Sequence, residues 1–419
     1  MDASKRKLQR IKTSVQQERT VQNSPQFEDI QEILSESSLM SITFPQASMR
    51  VFDLPTFVTS EVTDNLLSYF CKKIATTFSV CEEKSNSLVR TYIPLANDNN
   101  YVLYALLCWE SLHFEKQGNF AYADLRQKLM AQIRKQLPTI SKFEPVEISM
   151  AIFLILISMD NKQYTGNWVH YLSLAQSQAR GDIEGRLESP IYKWLKHNLM
   201  YHEVTSACLL PISFIDFSST YTSLDPPEAY MGLARPLYLL IGKVSELSRE
   251  IMNATSVDTL KELVCKAEVL EQEIHNCLPL DFTDEIINSG TLEYHYTFFE
   301  VLRDVATLYL RQCVYYEAST SLKTTIIVSS LIRNIPILFK TVMDPALLFP
   351  LFILGVDTIG DYRIWIKDEL DNLHDRMGAG NTEEAAKLLQ VIWEKNPDGA
   401  KHVFWPQVAK KQVLLVSLA

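Results

Sequence analysis

The stretch Phe299-Glu300-Val301-Leu302-Arg303-Asp304-Val305-Ala306-Thr307-Leu308-Tyr309-Leu310-Arg311-Gln312-Cys313-Val314-Tyr315-Tyr316 decides the fold class. Its apolar residues Phe299, Leu302, Ala306, Tyr309, Cys313 and Tyr316 advance by steps of 3, 4, 3, 4 and 3. That rhythm keeps one face of a helix apolar, whereas a strand would need alternation at every second residue. The same reading extends in both directions. Upstream, Leu237, Leu240, Val244, Leu247 and Ile251 form one stripe, and Leu263, Ala267, Leu270, Ile274 and Cys277 form a facing one closed by Pro279. Between them Ser256 reads as an N-cap, with Asp258 in the positive first turn. Leu66–Phe70 opens a helix, and Val102–His113 reads as a buried one. Tyr122, Leu125, Leu129, Ile133 and Leu137 step by three or four until Pro138, which is expected to end that helix. Glu147–Asp160 is apolar nearly all round and therefore core. Downstream, Asn381 reads as the cap of a helix with Glu383 and Glu384 in its first turn and Ala385, Leu388, Leu389 and Ile392 on its apolar face; Asn396-Pro397 stops it. No run alternates at period two, and no motif recurs at a fixed period. The expectation is all-α: a compact multi-helix domain of stacked helical hairpins.

Composition agrees. Glycine fills 12 of 419 positions, which leaves little material for phosphate-cradling loops or tight hairpins. Residues 1–48 are polar, rich in Ser, Gln and Glu, and without sustained period, so they are expected to form a disordered tail, with the body at 49–419. Leu8, Ile11 and Val15 have coiled-coil spacing over barely more than one heptad. The segment 214–230, with Asp225-Pro226-Pro227, reads as the clearest long loop. The net charge of −10 argues against a nucleic-acid surface spread over the whole body. Residues 1–20 alone carry +4, so the remainder carries −14. The basic cluster Lys5, Arg6, Lys7, Arg10 and Lys12 reads either as a nuclear-import segment or as a solvated terminus. Seven dispersed cysteines form no CxxC pair, which favours small buried hydrophobes in a reducing compartment over a disulfide framework or a zinc cluster. The longest apolar runs, Ala151–Ser158 and Pro345–Val356, fall well short of the ~20 residues that span a bilayer. A soluble intracellular protein without membrane partners is expected.

Chemistry-bearing motifs are sparse. The sequence contains no GxGxxG, GxxxxGK[ST], HExxH or GxSxG, so neither an enzyme nor a bound cofactor is expected. His170, His275, His295 and His374 have no metal-spaced partner and read as structural or surface residues. Asp357, Asp361 and Arg363 could contact a ligand, but the structural reading is favoured: Asp361 begins a helix and Arg363 pairs with a nearby carboxylate. Trp365, Trp393 and Trp405 read as large buried anchors before they read as a pocket lining. The run from Tyr294-His295-Tyr296 to Tyr315-Tyr316 reads as core first and effector pocket second; a pocket between helices is where bundles house ligands.

Pro345-Ala346-Leu347-Leu348-Phe349-Pro350-Leu351-Phe352-Ile353-Leu354-Gly355, followed by Arg363-Ile364-Trp365 and Val391-Ile392-Trp393-Glu394, resembles the closing segment of the fungal-specific transcription factor domain. That domain is the helical regulatory region of zinc binuclear-cluster regulators. Blocks at Leu66–Phe70, Asn97–His113, Ala151–Ala175, Asp225–Leu247 with Gly232, and Val305–Tyr316 follow the family's order, so the resemblance covers roughly residues 50–405. Trp168, Leu172 and Ala175 fit the family pattern, while His170 is displaced by one place and Leu174 stands where glycine is usual. After Gly355 the family's acidic-then-alanine pair is Asp357-Thr358 here. The resemblance implies a nuclear regulator of RNA polymerase II transcription whose helical domain senses a small-molecule effector or binds co-regulators, with a homodimer as one assembly. The family's DNA reader needs six cysteines around two zinc ions, and this sequence holds no such array. Zinc is therefore expected only with a preceding module, and DNA contact only through that module or a partner. The alternative is a helical scaffold or adaptor without a DNA role.

Overall fold

The computed structural model describes residues 55, 58–81, 86–116, 121–163, 165–181, 189–206, 229–281, 289–412, 414 and 416–419. The tail 1–48 with Lys5, Arg6, Lys7, Arg10 and Lys12, Cys208, and the Asp225-Pro226-Pro227 turn lie outside the described residues. Among the described residues every regular element is helical.

Local chemistry sets where the first helices begin. Thr59 accepts a hydrogen bond from Val62 N, so α1 spans Ser60–Tyr69 and starts a turn before the apolar Leu66. The Asn86 side chain caps α2 (Ser87–Asp98) by accepting from Leu88 N, and its amide donates to Ala75 O at 2.7 Å. Helix α3 (Asn100–Lys116) packs on α4 (Ala121–Phe143) and α5 (Val146–Gln163). Pro138 does not end α4. Ile140 beyond it is fully buried, and the carbonyls of Ile140 and Ser141 accept from Ser149 Oγ (2.9 Å) and Gln178 Nε2 (2.8 Å). Burial and this side-chain capping offset the one backbone bond that proline removes. Helix α5 is buried from Ile148 through Ile157, as its all-round apolar pattern requires. In α6 (Trp168–Gly181) the residues that fit the family pattern, Trp168, Leu172 and Ala175, are buried, and the displaced His170 is exposed. Helix α7 (Pro190–Ser206) lies against α5 and joins this half to α8.

The second half repeats the hairpin theme. Helices α8 (Arg235–Asn253) and α9 (Val257–Asn276) pair through the expected stripes, with Ser256 accepting from Thr259 N at 3.0 Å as the N-cap. Helix α10 (Leu292–Leu310) buries Phe299, Leu302, Ala306 and Tyr309. It then widens into a π-helical turn at Arg311–Tyr315, and Tyr316 takes a left-handed φ of 52°. The extra residue in that turn rotates the frame, so Cys313 stays buried while Tyr316 leaves the stripe and is exposed. Helix α11 (Leu322–Asn334) leads through a short 3₁₀ turn at Asp344–Ala346 into α12 (Leu348–Asp357), every residue of which is buried.

Three helices close on α12: α13 (Tyr362–Met377), α14 (Asn381–Lys395) and α15 (Trp405–Gln412). Trp393 Nε1 donates to Gly355 O at 2.8 Å, and Trp405, fully buried, donates to Gln312 Oε1 at 3.2 Å. Trp365, half-buried, packs near Phe339. The tryptophans act as anchors. Asn381 does not cap α14: its amide donates to Ser417 O (2.9 Å) and Ala419 O (2.8 Å), tying residues 417–419 to the helix start. The stop at Asn396-Pro397 stands. Helix α14 also touches α5, so the chain returns on itself instead of stringing into an open superhelix. Of the described cysteines, Cys81, Cys108 and Cys313 are buried, Cys71 and Cys277 are half-buried and Cys265 is exposed; the expectation of buried small hydrophobes holds for the first three. Among the described residues no helix is long and apolar enough to cross a membrane.

Candidate functional site

The charged trio read from sequence does not converge. Asp357 is buried at the end of α12, where it accepts from Gln312 Nε2 (2.7 Å) and Ser319 Oγ (2.7 Å). Burial pushes its carboxyl up to about 6 against the pull of those two donors. Asp361 is exposed at the start of α13. Among the described residues Arg363 forms no salt bridge, though the Asp398 carboxylate acts on it electrostatically; it donates to the carbonyls of Thr358 (2.8 Å), Asn396 (2.7 Å) and Pro397 (3.0 Å) and so staples the end of α14 to the start of α13. A guanidinium's planar fork suits that bridging task. In the tyrosine run, His295 and Tyr309 are core while Tyr296 and Tyr316 face outward.

The structure instead brings together residues from both halves around an interior chamber of ≈ 60 Å³. Helix α5 contributes Asn161 and Lys162, α3 Trp109, α7 Tyr201 and His202, and the start of α14 Asn381. Its walls are aromatic. The Tyr201 ring stacks on Tyr230 with centroids 5.2 Å apart, and Phe78 meets Trp109 at 5.6 Å. Set into those walls are polar atoms with no hydrogen bond among the described residues: Trp109 Nε1, Asn161 Oδ1, both ring nitrogens of His202, and Asn381 Oδ1. All four side chains are more than nine-tenths buried. Burial pushes His202 down to about 3, so the imidazole is neutral and presents one donor and one acceptor. Unpaired polar atoms in a dry interior are costly, and five of them belong to four side chains that line this one chamber.

The chamber adjoins an outer groove of ≈ 510 Å³ lined by Thr76, Thr77, Ser79, Thr341 and Arg376. Asp344, Pro345 and Met377 line both spaces and form the neck between them. Asp344 is fixed there by Arg376, whose Nε and Nη2 donate at 2.7 and 3.0 Å, and by Lys340 N at 3.1 Å. Gly378, at a φ of 62°, ends α13 beside the neck; a Cβ there would come within 3.3 Å of Lys162 Cε. Lys162 itself lies 2.7 Å from His113 Nδ1 and 5.9 Å from the Phe78 ring centre.

Sequence reasoning missed these residues as a site. Asn161 and Lys162 trail an apolar run, Trp109 sits within one, and His202 belongs to a helix too polar to read as interior. The one available signal was α7 itself, a 17-residue helix with no clean polar face.

Comparison with known proteins places the whole helical body in one family. The model of the fungal-specific transcription factor domain matches residues 65–419. The transcriptional activator protein UGA3 of Saccharomyces cerevisiae is similar at 21% identity over 389 residues, covering 80% of this chain and 74% of that protein. An uncharacterized transcriptional regulatory protein of Schizosaccharomyces pombe is similar at 23% identity over 369 residues, covering 82% of this chain and 69% of that protein. No solved structure matches.

Proposed function

The chain belongs to the fungal-specific transcription factor domain family, and from that premise we propose a nuclear regulator of RNA polymerase II transcription whose helical body answers to a small-molecule effector. The observation that carries the effector reading is the chamber, whose lining side chains Trp109, Asn161, His202 and Asn381 hold buried polar atoms with no hydrogen bond among the described residues. Its placement supports coupling. The lining comes from α3, α5 and α7 on one side and from α13 and α14 on the other, so an occupant would bear on how the two halves pack. Co-regulators are the natural readers of such a change. DNA is reached through a zinc-cluster module or a partner, because the cysteines of this sequence are dispersed.

The test fuses the full chain to a heterologous DNA-binding domain and reads a reporter gene. Ser158 lines the chamber from α5, and Ser158→Met would fill it without adding charge. The expected result is nuclear fluorescence of the tagged chain and a reporter output that Ser158→Met shifts at least threefold in either direction at equal protein level. A cytoplasmic chain with a silent reporter would return the adaptor reading to first place.

A further inference from the structure

The effector reading leaves open what chemistry the site accepts, and the lining constrains it. At ≈ 60 Å³ the chamber is small, so it admits only a small polar head. The groove beyond the neck has room for the rest of an elongated molecule. Asn161 Oδ1 and Asn381 Oδ1 call for donors, Trp109 Nε1 calls for an acceptor, and His202 takes one of each. Charge decides further. Lys162, 5% exposed, lines the chamber and disfavours a cationic head beside it. Among the described lining residues Asp344 carries the one side-chain carboxylate, and it already takes three donors at the neck. Arg376 is different. A guanidinium carries five N–H donors; Nε and Nη2 of Arg376 hold Asp344, Glu369 lies within its electrostatic reach, and Nη1, which makes no hydrogen bond among the described residues, remains a donor for an anion in the groove.

We propose that chamber and groove form one binding site for a short metabolite with an uncharged hydroxyl or carboxamide head in the chamber and a carboxylate at its other end on Arg376. This rests on the effector reading above and names the ligand's class. The neck residues Asp344, Pro345 and Met377 would be straddled by the ligand, which makes the ion pair between Asp344 and Arg376 the point where binding meets the loop before α12.

Calorimetric titration of the full chain tests the proposal with succinamate and glycerate as probes. Succinamide and glycerol lack the anion, butyrate lacks the head, and beta-alanine carries an ammonium head. At least one of the two anionic probes should bind about tenfold or more tightly than every control, and Asn161→Ala should weaken that probe by about tenfold, the cost of one lost hydrogen bond to a buried group. Arg376→Gln should bring it down to the level of its uncharged analogue. Arg376→Lys, which keeps the charge beside Asp344, should fall between and guards against a folding defect. Equal binding of probes and controls, or probe binding that survives Arg376→Gln, would overturn the assignment. If no probe binds while Ser158→Met still shifts the reporter, the effector site stands and only its ligand class is wrong; if neither responds, both readings fall together.

Discussion

Helices α12 and α7 are interior to nearly the same degree, yet they are made of opposite chemistry. Every side chain of Leu348–Asp357 is buried, and nine of its ten residues are apolar or glycine. Helix α7 is buried continuously from Trp194 through Ser206, and that stretch includes His197, Asn198, His202, Glu203, Thr205 and Ser206. Much of its polarity is matched: Asn198 Nδ2 donates to Tyr92 Oη at 3.0 Å, Gln176 donates to Glu203, and Arg235 approaches His197 Nδ1 at 3.3 Å. His202, whose two ring nitrogens stay unmatched among the described residues, lines the chamber. An apolar interior helix stabilises the fold by packing alone, whereas a polar one costs desolvation that its partners must offset. At His202, as at Asn198 Oδ1 and Ser206 Oγ, that offset is incomplete among the described residues.

Truncation should separate the two helices most sharply. Phe352 on α12 is fully buried, with its ring 5.0 Å from that of Trp405. Phe352→Ala is expected to cost about 3–5 kcal/mol, the usual range for emptying a buried aromatic site. On α7, His202→Phe at neutral pH exchanges an unpaired imidazole for a ring of similar bulk and should be neutral or stabilising by about 1 kcal/mol. Urea denaturation of both variants measures this. Should the histidine change prove as damaging as the phenylalanine one, the contrast between the helices breaks.

The same contrast explains what was legible in the sequence. Apolar stripes announced α8, α9, α10 and the inward face of α14, and the Ser256 cap stood where its side chain and Asp258 placed it. Local rules misled where tertiary structure overrode them. Pro138 sits inside α4 because Ser149 and Gln178 serve the turn beyond it, and Tyr316 leaves its stripe because α10 ends in a π turn that no spacing rule anticipates. Asn381 has a capping residue's chemistry but spends its amide on Ser417 and Ala419. The chamber was illegible for a plainer reason. A polar residue reads as exposed from sequence, and the residues that bury His202 and Asn161 around the chamber come from elements far apart in the chain.

Acidity should separate the two helices by sign. His202 is held down to about 3, below its unfolded value of about 6.5. Stability from keeping it neutral is present above about pH 6.5 and is lost as pH falls toward 3, by up to about 5 kcal/mol across the window. Asp357, at the end of α12, is raised to about 6 from about 3.9 in the unfolded chain. Its contribution is complete below about pH 4 and is lost as pH rises through 6, by about 3 kcal/mol. Urea midpoints measured from acid to neutral pH should therefore lose part of their acid-side fall in His202→Phe, the rest coming from His295 and His197, which burial also holds down, and shift in the opposite direction in Asp357→Asn, whose side chain no longer titrates. If both substitutions tilt the profile the same way, one of the two groups is not held as its burial implies.

The smallest effect sharpens the comparison at a single methyl. Gly355 lies inside α12, and a Cβ placed there would come within 2.7 Å of Leu389 Cδ1 and 3.1 Å of Ile366 Cγ2, two fully buried side chains. Its carbonyl meanwhile accepts from Trp393 Nε1, so the backbone cannot retreat without stretching that bond. Alanine gains about 0.5–1 kcal/mol over glycine in a helix interior, while overpacking a filled core costs about 1–3 kcal/mol. The balance for Gly355→Ala is a loss of about 1 kcal/mol. If crowding against Leu389 is the cause, Leu389→Val in the same chain should recover part of it, giving a favourable coupling between the two changes. Additive losses would instead mean that α12 shifts as a body and has slack that its close packing does not suggest.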